Sequence, residues 1–232
     1  MKLELCVTDY AGILLAKKHR LDRIELCANL GQGGTTPSHG LVQLALQHIE
    51  THVLIRPRVG GFVYDGLEKE TLLAEIHQLS KLPVAGLVVG ALDANKQIDE
   101  TLLTDVRKLV KDRVLTFHRA FDEMEDWEAG VEVLKRLRFS RVLTSGRADD
   151  VDAGFNSFRK LKEVFADDLE LMPGGGIHCQ NILRIAEEVQ PAAIHFSATS
   201  KMPREDSRFA TDSLCVAENK LTEILNAVRP VR

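Results

Sequence analysis

No stretch of this 232-residue chain is apolar for long enough to cross a bilayer. Runs such as residues 84–92 fall well short of the roughly 20 residues that a membrane helix needs. There is no excess of positive charge either. Thirty lysines and arginines, spread along the chain, stand against 34 acids for a formal net charge of -4, which speaks against a nucleic-acid face. No CxxC pair occurs among the four cysteines, so neither a structural zinc site nor a disulfide framework is expected. No dinucleotide glycine fingerprint follows the first strand-like run, where the chain reads TDYAG. Residues 1–6 enter a strand pattern directly, without a signal-peptide core, and no linker or low-complexity segment follows. The expectation is a soluble cytoplasmic protein, a single domain over residues 1–232, with no nucleic-acid and no membrane partner.

What is present is a globular composition, 44% hydrophobic and 28% charged, laid out as a regular alternation. Strand-like runs at 3–7, 23–28, 53–58, 86–91, 114–119, 141–146, 169–174 and 192–198 each precede a helix-like run. Those helical runs cover 9–19, 41–49, 68–82, 100–111, 126–137, 155–166, 178–189 and 212–228, with Leu72, Ile76 and Leu79 showing the spacing best. Eight strand–helix units of roughly 29 residues each are the length a parallel crossover requires. The pattern predicts an α/β fold, a single (β/α)8 TIM-like barrel. An open doubly wound sheet is the competitor and would want fewer strands.

Reactive groups of such barrels lie at the carboxyl ends of the strands. There this chain places Glu4 and Cys6, Glu25 and Cys27, Arg56 and Arg58, then His118, Arg119 and Asp122. Thr144 and Ser145 end the sixth strand, Gly174, Gly175 and Gly176 follow the seventh, and His195, Ser197 and Thr199 close the eighth. The fourth strand ends only in Gly90 and Ala91, which would leave room for a ligand. Alternation puts Glu4 with Cys6, Glu25 with Cys27, Arg56 with Arg58 and His195 with Ser197 on shared faces. Leu5, Leu26 and Ile55 are left to pack under helices.

Charges inside a barrel are costly unless paired. One reading is therefore a polar plug of mutual salt bridges. The other is a pocket for acid–base chemistry and anion binding. In it Glu4, Glu25, His118 and Asp122 are the proton-transfer candidates. Arg56, Arg58, Arg119, Ser145, His195, Ser197 and the glycine loop 174–176 would grip a small anion such as a sugar phosphate or sugar acid. GQGG at 31–34 reads as a flexible loop cap. His19, His39, His48, His52, His77 and His178 read as surface or loop residues. Cys6 and Cys27 lie on neighbouring strands; two thiolates brought together would suit Cu(I), though strand stagger would equally keep them in separate layers. Cys179 is placed at a helix start and Cys215 in helix packing.

Several segments together, RIELC with GGTTPS, IRPR, TFHRAFD, RVLTSG, MPGGGI and IHFSA, resemble the CutC family of copper-homeostasis proteins. That resemblance implies a TIM-like barrel, a cytoplasmic location, a tendency to form homo-oligomers, and copper as Cu(I) bound at Cys6 and Cys27. The chain departs from the family pattern after the third strand. RPRGGDFxYS is usual there, whereas this chain reads RPRVGGFVYD, with Val59 in place of a glycine and Gly61 in place of an aspartate. Any ligand contact made by that aspartate is lost here unless Asp65 compensates. Three functions stay open: a copper-binding protein, a barrel enzyme, and a regulatory or scaffold barrel with a vestigial pocket.

Overall fold

Five of the helices open behind a residue whose side-chain oxygen caps the first turn. In the computed structural model, which describes residues 1–202 and 213–231, Asp9 accepts from the Gly12 N–H to open α1 (Tyr10–Lys18). Ser38 does the same for α2 (His39–Ala45), Asp99 for α4 (Glu100–Val110) and Asp126 for α5 (Trp127–Arg136). Asp65 and Glu68 form a reciprocal capping box at α3 (Gly66–Leu79). Such caps satisfy backbone donors that a helix leaves open at its start. Asp65 is thereby occupied as a cap and does not replace the missing aspartate of the loop. The remaining helices are α6 (Phe158–Phe165), α7 (Ile182–Arg184, running on as a π turn over Ile185–Val189) and α8 (Glu218–Val228).

The strands are β1 (Lys2–Val7), β2 (Arg23–Leu26), β3 (Thr51–Leu54), β4 (Gly86–Val89), β5 (Val114–Phe117), β6 (Arg141–Thr144), β7 (Glu170–Pro173) and β8 (Ala193–Phe196). Each of β1 to β6 pairs parallel with the next strand and β8 pairs parallel with β1, giving the order β7-β6-β5-β4-β3-β2-β1-β8. β7 and β8 meet at the seam. The result is a nearly closed (β/α)8 barrel.

Alternation along the strands separates two environments. Leu5, Leu26, Val53, Leu87, Leu115, Val142, Leu171 and Ile194 join one continuous apolar cluster with the helices. Among the described residues, apolar side chains on the opposite, inward face form only two small groups: Cys6, Cys27, Leu54 and Val88, and Leu143, Met172 and Ala193. Between them the barrel is polar.

Three local expectations are corrected. β3 begins at Thr51 because its register pairs Ile24 with Thr51 and Glu25 with His52. His52 is therefore a buried barrel residue rather than a loop residue. The run expected as a helix over 212–228 instead holds a strand, β10 (Leu214–Val216), paired antiparallel with β9 (Thr199–Lys201), before α8 begins. Cys215 thus lies in a hairpin, and Asp212, the expected helix start, lies outside the described residues. Helical structure after the glycine loop starts only at Ile182, because the Asn181 side chain first caps the His178 N–H. Cys179 accordingly sits in the loop ahead of the helix.

Candidate metal and ligand site at the barrel mouth

The polar layer starts with an ion pair. Arg23, the first residue of β2, donates through Nε to Glu4 on β1, and both side chains are buried almost completely. His195 Nδ1 donates to the other Glu4 oxygen at 2.8 Å. Burial by itself would raise the Glu4 pKa, but the His195 hydrogen bond and the Arg23 charge outweigh it and hold the carboxyl well below its usual range. Arg141 extends the layer, bonding Glu170 at 3.1 Å and lying 3.3 Å from His52 Nδ1. This part of the interior is the salt-bridged plug. Glu4 is held there as a permanent anion and is not placed to exchange protons with a ligand.

One turn toward the mouth, the stagger of β1 and β2 pairs Cys6 with Glu25. The two sulfurs are in the same layer: Cys6 Sγ is 3.5 Å from Cys27 Sγ and 3.8 Å from Glu25 Oε1. His195 completes a group in which one ligand atom from each of Cys6, Glu25 and His195 lies within 4.8 Å of the others. The Cys27 contact and burial push the Cys6 thiol well above its ordinary value. Burial raises Glu25 to about 7. His195 is disfavoured as a cation by burial, yet the Glu25 and Glu4 carboxylates more than compensate and raise its pKa.

Cys6, Glu25 and His195 line a cavity of about 320 Å³ at the mouth, with Arg56, His118, Arg119, Gly175, Gly176 and Ser197 also on its wall. Cys27 lies behind Cys6 and is fully buried. Leu30, Leu54 and Val88 pack around the two sulfurs. As a donor set, two adjacent sulfurs in an apolar sleeve fit a soft monovalent ion such as Cu(I).

Other expected site residues are engaged elsewhere. Arg58 is locked to Glu68 of α3 and to the carbonyls of Val59, Gly61 and Val63, outside the cavity. Asp122 accepts from Thr144, from Ser145, from the Arg147 N–H and from Arg119, tying the β5 and β6 loops together. Ser145 sits within that knot between Asp122 and Arg119. Gly174 is a seam residue, where a Cβ would lie 2.5 Å from Leu143 and 3.1 Å from His195. Arg56 uses both terminal nitrogens on the carbonyls of Gln32, Gly34 and Gly60. The GQGG loop is thus braced over Cys27 rather than loose. The space after β4 is likewise filled by protein: a Cβ on Gly90 would come within 2.5 Å of the His118 ring.

His118 and His52 carry a prediction about acid. Burial, helped at His118 by the Arg56 charge, lowers His118 to about 3, and burial lowers His52 to about 4. In the unfolded chain both titrate near about 6.5. The stability they contribute is therefore complete above that value and is lost as pH falls through about 4 and about 3. Each supplies a slope of up to about 1.4 kcal/mol per pH unit. Urea unfolding across this range is expected to show the loss, with a shallower slope in His118→Leu. An unchanged slope in that variant would contradict the assignment.

Comparison with known proteins agrees with this architecture. The sequence profile of the CutC family matches residues 1–200. The chain belongs to the CutC family. A human copper homeostasis protein cutC homolog is 38% identical over 200 residues, covering 85% of this chain and 73% of its own length. A CutC family protein of Bacteroides thetaiotaomicron is 35% identical over 216 residues, covering 92% of this chain and 86% of its own. Among solved structures, a CutC from Streptococcus agalactiae superimposes with a TM-score of 0.80 at 30% identity, over 85% of this chain and 98% of its own. Of the CutC motifs legible in the sequence, RIELC runs from the plug at Arg23 to the mouth at Cys27, and TFHRAFD and MPGGGI carry His118, Arg119, Gly175 and Gly176 onto the cavity wall. Sequence reading placed His52 among surface or loop residues and gave Arg23 no role within RIELC; the signal of both is a polar residue at an inward-facing strand position.

Proposed function

We propose that this CutC protein serves copper homeostasis in the cytoplasm by binding Cu(I) through the thiolates of Cys6 and Cys27. One observation supports the reading above the rest: the two sulfurs lie 3.5 Å apart, with Cys6 on the wall of an accessible cavity. Soft sulfur ligands select Cu(I) over the harder divalent ions that carboxylate and imidazole favour. Anaerobic titration against a chromophoric Cu(I) chelator tests it. The wild-type chain is expected to take up one ion, and Cys6→Ser/Cys27→Ser none. Equal uptake by the double variant would remove the reading.

A second reading, a barrel enzyme using general acid–base chemistry on a small anionic substrate, is favoured by Glu25. Its carboxyl is raised by burial to about 7 beside His195, on the wall of a small-molecule-sized cavity. A general acid–base group works best with a pKa near the working pH. Glu25 takes that role in this reading, whereas Glu4 and Asp122 are engaged by their partners.

A further inference from the structure

Arg56 is 5% exposed and forms no ion pair among the described residues. Its terminal nitrogens meet backbone carbonyls, but Nε is buried without a partner. A guanidinium cannot discharge itself by losing a proton, so a buried one without a carboxylate calls for an anion.

His118 adds a second donor. The Ala120 N–H donates to Nδ1 at 3.1 Å, which leaves the hydrogen of the neutral ring on Nε2. That Nε2 is also buried and unpartnered. Both groups flank Phe62, whose ring centre is 4.8 Å from the His118 ring centre and 5.1 Å from the Arg56 guanidinium carbon. A second cation lies alongside: Arg119 Nη1 would be 3.0 Å from a Cβ on Gly175, whose φ is +97°. Only a glycine lets the backbone turn there beneath the guanidinium. On β2, next to the strand that leads into Arg56, Glu25 Oε2 is a third buried atom without a partner. Unsatisfied buried polar atoms are rare enough that three on one cavity wall require an explanation.

We propose that the barrel mouth binds a small hydroxylated oxyanion, of the sugar phosphate or sugar acid class, with its anionic group at Arg56, His118 and the Arg119–Gly175 corner and a hydroxyl at Glu25. The cavity, about 320 Å³, is at the small end of ligand sites, which run from about 300 to 1,000 Å³. That admits a short-chain metabolite and excludes a dinucleotide. The site uses neither sulfur as a ligand. It supplies the substrate class of the enzyme reading, and binding without turnover would leave it standing while that reading fell.

Calorimetric titration of the reduced, metal-free chain tests the site, with glycerol 3-phosphate, gluconate and uncharged glycerol as probes. Saturable binding of at least one anion and none of glycerol is the expected result, and the preferred anion identifies the head group. His118→Leu should weaken that binding by about tenfold or more, as loss of a hydrogen bond to a charged group does. His118→Gln, which restores an N–H donor, should recover most of it. Nitrogen-15 spectra of the wild-type imidazole provide a check that needs no variant: the His118 Nε2–H resonance should move on saturation. No saturable binding of either anion, equal binding of glycerol, or an affinity indifferent to His118→Leu would mean that these atoms serve only water, and would overturn the proposal.

Discussion

Replacing Arg23 by Met is expected to destabilise the protein by about 3–5 kcal/mol, the cost of leaving one member of a buried ion pair behind. Arg23 and Glu4 are buried almost completely and bonded directly. Glu4 would keep only His195 as a close partner, since His52 Nδ1 stands 3.9 Å away and is held neutral chiefly by burial. The double variant Glu4→Gln/Arg23→Met removes the stranded charge as well as its partner, and should recover much of the loss. Replacing a whole buried pair by neutral groups is often close to neutral. Urea unfolding of the two variants measures both quantities. A single-variant loss below about 1 kcal/mol, the range of surface pairs, would show that the pair is not the closed, dry contact described.

The barrel was legible because its signals are local. Alternating residues in Leu3–Val7 or Val114–Phe117 and the helical spacing of Leu72, Ile76 and Leu79 need no tertiary information to mark strands and helices. The juxtaposition of Cys6 with Cys27 was only half legible. Spacing gave the shared face, but the stagger that sets Cys6 opposite Glu25 is a property of the closed sheet. His52 reads as a loop residue in the sequence because the apolar run of its strand starts at Val53. Arg56 and Asp122 were visible as polar residues at strand ends, yet nothing in their spacing told whether they face a ligand or brace a loop. Their partners, Gly34 and Gly60 in one case and Thr144 and Ser145 in the other, are fixed by the loops folding over the mouth.

Raising the pH from 6 to 8 is expected to tighten Cu(I) binding by about a hundredfold or more. The Cys27 contact and burial keep the Cys6 thiol protonated through this range, its pKa lying well above the ordinary value. Binding as a thiolate must then release that proton, which makes affinity rise about tenfold per pH unit for Cys6 alone. The metal-free protein should behave differently over the same interval. A thiol raised in the folded state contributes fully below its unfolded value of about 8.5 and loses that contribution between there and the folded value, so Cys6 leaves stability nearly unchanged here. Glu25 does not: its contribution is complete below the unfolded carboxyl range and is lost as pH rises through about 7. Chelator competition at fixed free copper, beside urea unfolding without metal, separates the two behaviours. A copper affinity flat in pH would mean that the ion is not held by Cys6 as a thiolate.

X-ray absorption at the copper edge, on protein loaded anaerobically with one equivalent of Cu(I), is the most direct test of whether the strand ends deliver two thiols to one ion. Two sulfur neighbours on the copper are predicted, and their loss in Cys6→Ser/Cys27→Ser. A nitrogen- and oxygen-rich environment with a single sulfur, the set that Cys6, Glu25 and His195 would supply, would contradict it.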